Sequence, residues 1–130
     1  MLVTFYGVRG SIAAPGPKTI KYGGNTSCVH VRLNDGNNVI FDAGTGIREL
    51  GFRMVRNDEP LLLLLSHGHW DNIQGYPFFA PIYQPDREIR ICQSIDSNAV
   101  SLKAILEQMD GSTFPVRSED LPSKITTVYQ

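Results

Sequence analysis

The chain is expected to fold as a mixed α/β protein, with helices packed on a sheet. Three observations predict this. Strand-like runs alternate with two segments of helical spacing. Leu61 to Leu65 are consecutive leucines, the pattern of a strand covered on both faces. Asp35-Gly36-Asn37-Asn38 lies between two strand-like runs and marks a hairpin turn.

Leu2 to Tyr6 reads as the first strand. Gly7 to Gly24 reads as a loop, rich in glycine and holding Pro15 and Pro17. Thr26 to Leu33 is the next strand, and Val39 to Phe41 opens its hairpin partner, which ends in Asp42-Ala43-Gly44-Thr45-Gly46. Thr45 is placed to cap a helix over Ile47 to Val55, where Ile47, Leu50, Met54 and Val55 keep helical spacing. Pro60 introduces the leucine strand. Residues 71–76 suit a short helix start, with Asp71 near its N-terminus. Glu88 to Cys92 is a further strand. Ser97 or Asn98 is the expected cap of a helix reaching Met109, with Val100, Ile105, Leu106 and Met109 as its buried stripe. Phe114-Pro115-Val116 and Lys124 to Tyr129 read as extended. No repeat or linker divides residues 1–130, so one domain is expected.

The bulk numbers bound the function. With 130 residues, 42% hydrophobic and a net charge of −1, the chain builds one modest core. That charge and the scattered basic residues give no strong nucleic-acid or anionic-membrane signal. The leucine run is far too short to span a bilayer. The N-terminus lacks the pattern of a secretory leader, so a cytoplasmic location is expected. Cys28 and Cys92 sit in strand-like runs and are expected as free buried thiols, with one disulfide the alternative.

The chemistry concentrates in Ser66-His67-Gly68-His69-Trp70-Asp71-Asn72, directly after the leucines. His67 and His69 are two apart, so extended backbone points both to one side. Asp71 follows two residues on, and a turn there brings its carboxylate to the cluster. Imidazole with carboxylate suits zinc, then iron or manganese, ahead of calcium or magnesium. A polar loop of hydrogen-bonded histidines is the plainer alternative. The placement at a strand end favours a metal site.

This segment resembles the His-x-His-x-Asp-His signature of the metallo-β-lactamase superfamily. Gly7-Val8-Arg9-Gly10-Ser11, Tyr22-Gly23-Gly24-Asn25-Thr26-Ser27-Cys28, Phe41 to Gly46 and Ile73-Gln74-Gly75-Tyr76-Pro77-Phe78-Phe79 are similar to its phosphodiesterase-like and transfer-RNA-processing branch. The resemblance implies an αββα sandwich, of which this chain supplies about the first half. It implies hydrolysis of a phosphodiester-like substrate by a water held between two metals. On that basis His67 and His69 hold the first metal. Asp71 binds the second and assists proton transfer. Asp42 orients ligands from behind. Arg9 and Ser11 lie near the site mouth. Arg9 either holds a substrate phosphate or pairs with a loop carboxylate.

Two departures matter. Asn72 stands where the signature has histidine, and an amide oxygen is a weak ligand for such metals, so the second position is weakened or lost. No histidine follows Asp71, so the ligands that the family draws from its second half are missing. Asp86, Asp96, Asp110 and Asp120 read as turn or cap residues. The chain is expected to be weak or inactive alone and to pair with a second copy, or with a partner supplying the second half. The alternative is a degenerate domain kept for binding or assembly. His30 reads as structural, Trp70 as packed under the loop, and Tyr76, Phe78, Phe79 and Tyr83 as core. Asn25, Thr26 and Ser27 read as residues that orient the site loops or as ordinary turn bonding.

Overall fold

The computed structural model describes residues 1–93 and 100–129. Its strands are β1 (Leu2–Gly7), β2 (Cys28–Arg32), β3 (Asn38–Phe41), β4 (Leu61–Leu65), β5 (Glu88–Gln93) and β6 (Lys124–Tyr129). They form one six-stranded sheet whose spatial order follows the chain from β1 to β6. The first three strands pair antiparallel, and β3 to β6 run parallel. Asp35 to Asn37 close the β2–β3 hairpin, where the Asp35 carboxylate accepts the Asn37 N–H at 3.0 Å.

Two helices cover one sheet face. Helix α1 (Ile47–Met54) buries Ile47, Leu50 and Met54. Helix α2 (Val100–Glu107) buries Leu102 and Ile105, with Met109 just beyond it. The expected capping residues Ser97 and Asn98, with Asp96, fall outside the described residues, as does the Val100 side chain. Gln93, at the end of β5, accepts the Leu102 N–H at 2.7 Å and so satisfies one N–H of the first turn. Thr45 does not cap α1. Gly46 holds that position, and the Thr45 hydroxyl accepts the Thr26 N–H instead.

The region expected to start a helix at 71–76 forms three short 3-10 turns, Trp70–Asn72, Tyr76–Phe78 and Ala80–Tyr83. Pro77 and Pro81 enter two of these turns and remove the N–H groups that a longer helix needs. The second and third of these turns pack on α1. Tyr76 and Phe79 are core, whereas Phe78 is 56% and Tyr83 37% exposed, so only half of the expected aromatic cluster is interior. Phe114 to Val116 form bends beside the isolated Asp110–Arg117 bridge instead of a strand.

The core lies on a single side. Register places Ile40, Leu63 and Ile91 abreast, all fully buried. Their neighbours Val39, Leu62, Phe41, Leu64 and Cys92 point the other way, where none of the described elements covers them. Phe41 there is 43% exposed and Phe5 66%. The leucine strand is thus buried on one face, not both as its sequence predicts. Both cysteines are free, Cys28 buried and Cys92 partly so.

Candidate functional site

The parallel strands β3 and β4 end side by side, so the loops after them share one rim of the sheet. The Asp42 N–H donates to the Leu64 carbonyl at 2.9 Å, carrying the ladder one step past β3. Asp42 then takes a left-handed backbone, with φ of 61°. Aspartate tolerates this conformation better than most residues, because its short side chain bonds locally. Here its buried carboxylate accepts the Ser66 N–H at 2.8 Å, the Ser66 hydroxyl at 2.8 Å and the Ser27 hydroxyl at 3.2 Å.

Backbone bonds lace the neighbouring loops. The Ala43 N–H donates to the Asn72 carbonyl at 2.7 Å, and the Gly75 N–H to the Ala43 carbonyl at 2.8 Å. Gly44 and Gly75 allow this approach: a Cβ on Gly75 would lie 2.1 Å from the Gly44 carbonyl oxygen. Thr26 and Thr45 bind each other reciprocally, side chain to N–H, at 2.9 and 2.8 Å. Asn25 accepts the Thr45 hydroxyl. Asn25, Thr26 and Ser27 therefore hold the site loops in place.

Ser66 is the residue that the sequence reasoning passed over. Its hydroxyl also lies 2.9 Å from His67 Nδ1. A carboxylate only accepts, so the single hydroxyl proton goes to Asp42, and His67 Nδ1 must carry the hydrogen that it gives to Ser66. That tautomer leaves Nε2 as the acceptor nitrogen of the His67 ring. A hydroxyl next to the first histidine, at a strand end facing an aspartate, is the signal that could have found it. The His69 ring lies 4.6 Å from that of His67, nearly perpendicular to it. Both rings are exposed.

The other predicted residues are distributed around this pair. The buried Asn72 presents its Nδ2 to the His67 ring, 2.9 Å from Nε2. Asp71 is half-buried and accepts the Ser11 N–H on Oδ2 at 2.8 Å. Ser11 thus contributes its backbone, in a left-handed conformation with φ of 71°. Arg9 pairs with no carboxylate among the described residues; its Nε donates to the Ile12 carbonyl at 2.8 Å. Trp70 does not pack under the loop: it is 70% exposed beside the histidines, because its turn carries it outward. His30 is structural as expected. It bonds to Asn38 Oδ1, and burial keeps its pKa below the ordinary value.

Two imidazoles stand together, one with a fixed tautomer and an orienting carboxylate behind it. Among the described residues no three His, Cys, Asp or Glu side chains converge closely enough to hold an ion. The set therefore does not fit a two-metal centre. No family model matches the chain, and searches of curated proteins and of solved structures return no match.

Proposed function

We propose that the chain is the amino-terminal half of a metal-dependent hydrolase of the metallo-β-lactamase kind, acting on a phosphodiester-like substrate. The observation carrying this reading is the Asp42–Ser66–His67 chain, which holds one imidazole in place beside His69 at the ends of parallel strands. The signature's residues at 67, 69 and 71 are all on that rim. Zinc is the best-matched ion for imidazole donors, with iron or manganese next. A bound ion would supply an acidified water. This chain's own parts are the histidine pair, the Asp71 carboxylate as a proton acceptor, and Arg9 as a phosphate contact. The missing donors come from a second half supplied by another polypeptide; pairing of two copies is the alternative assembly. The open apolar sheet face supports this, because an αββα sandwich buries that face against its other sheet.

A second reading is favoured by Asn72, whose amide nitrogen lies 2.9 Å from His67 Nε2 and engages the nitrogen that a metal would need. On that reading the domain keeps the fold for binding or assembly and has lost catalysis. Elemental analysis of the purified protein separates the two. Bound zinc, iron or manganese, rising in Asn72→His, supports the hydrolase. Absence of metal after incubation with excess ion, in parent and variant alike, sinks it.

A further inference from the structure

The sheet has two edge strands, β1 and β6. An edge leaves N–H and C=O groups unpaired, and proteins blunt it with charge, proline or a bulge. Strand β6 starts on the charged Lys124. Strand β1 reads Leu2-Val3-Thr4-Phe5-Tyr6-Gly7, without a charge or a proline. Its one blunting device is a register irregularity between Phe5 and Gly7. Leu2, Val3 and Phe5 are exposed.

The register says which groups of β1 are free. The Leu33 N–H donates to the Asn37 carbonyl at the closed end of the β2–β3 hairpin. Bonded pairs alternate along an antiparallel ladder, so Val31 turns its N–H and C=O to β3, whereas His30 and Arg32 turn theirs to β1. His30 and Arg32 face Thr4 and Leu2 there. Val3 and Phe5 therefore direct their N–H and C=O outward. Among the described residues, neither makes a backbone bond outside the β1–β2 ladder. Their side chains stand on the open sheet face, in line with Val39 and Leu62 and with Phe41 and Leu64.

We propose that the β1 edge takes the β1 edge of a second copy, antiparallel about a two-fold axis at Thr4. In that register Val3 of each copy faces Phe5 of the other as a bonded pair, and the two Thr4 residues meet between them. The outward groups of Val3 and Phe5 are then all used, in about four backbone hydrogen bonds. Each bonded pair sets a β-branched side chain against an aromatic one, and threonine meets threonine, which are favourable cross-strand combinations. No charge in β1 repels its own copy. A register centred on Phe5 runs into the irregularity at both ends, and one centred on Val3 draws on Met1, outside the strand. So short an overlap buries far less than the ~1,200 Å² at the lower end of stable interfaces. The pairing is accordingly weak and forms above the micromolar range. It joins the two open faces into one continuous apolar surface. Strand β1 runs in the same direction as β3 and β4, so the two-fold axis sends the two histidine rims to opposite ends of the joined sheet. The edge contact therefore lends no ligand to either site and depends on neither metal nor hydrolysis.

Crosslinking and sedimentation of the full chain test it. Threonines facing each other in a non-bonded pair have Cα atoms about 4.5 Å apart, inside the disulfide range of about 4.4–6.8 Å. Thr4→Cys should form a linked dimer under mild oxidation, above the level that Cys28 and Cys92 set in the parent. Leu2→Cys, on the same face of β1 but away from the axis, should stay at the parent's level. Equal linking by the two variants overturns the proposal. Phe41→Lys with Leu64→Lys removes pairing through the open face; in that background, sedimentation equilibrium well above micromolar concentration should still find a dimer. Adding Val3→Lys with Phe5→Lys sets like charges opposite each other and weakens it about tenfold or more. Adding Val3→Lys with Phe5→Glu instead restores it, because opposite charges then face across the axis. Circular dichroism verifies that each variant is folded, and the two cysteine variants decide alone if a charged one is not. A background protein that stays monomeric throughout the series overturns the proposal, as does a charge-swapped variant no better paired than the double lysine one.

Discussion

Asp42 is the residue on which the rim depends most. Its carboxylate gathers three donors from two other loops in a buried setting. Asp42→Ala leaves these donors unpaired and places alanine at a φ of 61°, so it should lower unfolding free energy by about 1–3 kcal/mol. Asp42→Asn tolerates that backbone and keeps an acceptor, so it should lose less; urea denaturation of both variants checks the order. A second cluster stands around β2 and β3, where Glu59 accepts a fork from Arg32 and a hydrogen bond from the Asn38 side-chain amide. Arg32, then Asn38, holds the Glu59 carboxyl down from 4.5 to about 2. The folded-state pKa lies below the unfolded one, so the contribution is full above pH 4.5 and lost as pH falls through about 2. Glu59→Gln should therefore unfold more easily than the parent at neutral pH, and the gap in urea midpoint should close over that window. Burial pushes the Cys28 thiol up to about 12. Cys28 should accordingly resist alkylation in the native state and react after unfolding, as mass spectrometry would read. At this scale the histidine pair, Asp71 and Asp42 were legible because strand-end spacing and a polar break after apolar runs mark them. Ser66 was not, since a serine has too many ordinary uses to stand out. Trp70 was misjudged because the sequence gives its size and not the direction of the turn beneath it.

At the scale of elements, β1 to β6 and α1 were readable from apolar runs, turn residues and helical spacing, whereas the extended reading of Phe114 to Val116 failed. Leu61, Leu63 and Leu65 alternate inward exactly as a pleat requires, opposite Ile89, Ile91 and Gln93. Leu63→Ala, at a fully buried central position, should cost about 2–5 kcal/mol in urea unfolding, whereas Leu62→Ala on the half-open face should cost less. The 3-10 turns after β4 were not readable as such, because Asp71 near an N-terminus signals a helix start and says nothing of its length. Pro77 and Pro81 were the available evidence against a helix. The glycine pair shows what the turns achieve. With a Cβ 2.1 Å from the Gly44 carbonyl, Gly75→Ala must push the histidine segment off the β3 loop. Thermal unfolding should report a loss of about 1–3 kcal/mol or more, the usual range for overpacking.

For the whole molecule, the fold class was legible and the arrangement of layers was not. Five leucines announce burial without saying which partner provides it. Val39, Phe41, Leu62 and Leu64 line a face that none of the described elements covers. A face of that kind drives association. Light scattering should find the protein paired at micromolar concentration, and Phe41→Lys with Leu64→Lys should return it to a monomer; a parent that is already monomeric would count against a covered face. One further consequence follows from the strand order, which repeats the order of the chain from first to last. Every strand after the first finds a neighbour already made when it leaves the ribosome, so the sheet can be assembled vectorially, one strand per step. Nascent chains halted after β4 should already protect the β2–β3 hairpin from protease, long before the residues of α2 and β6 exist.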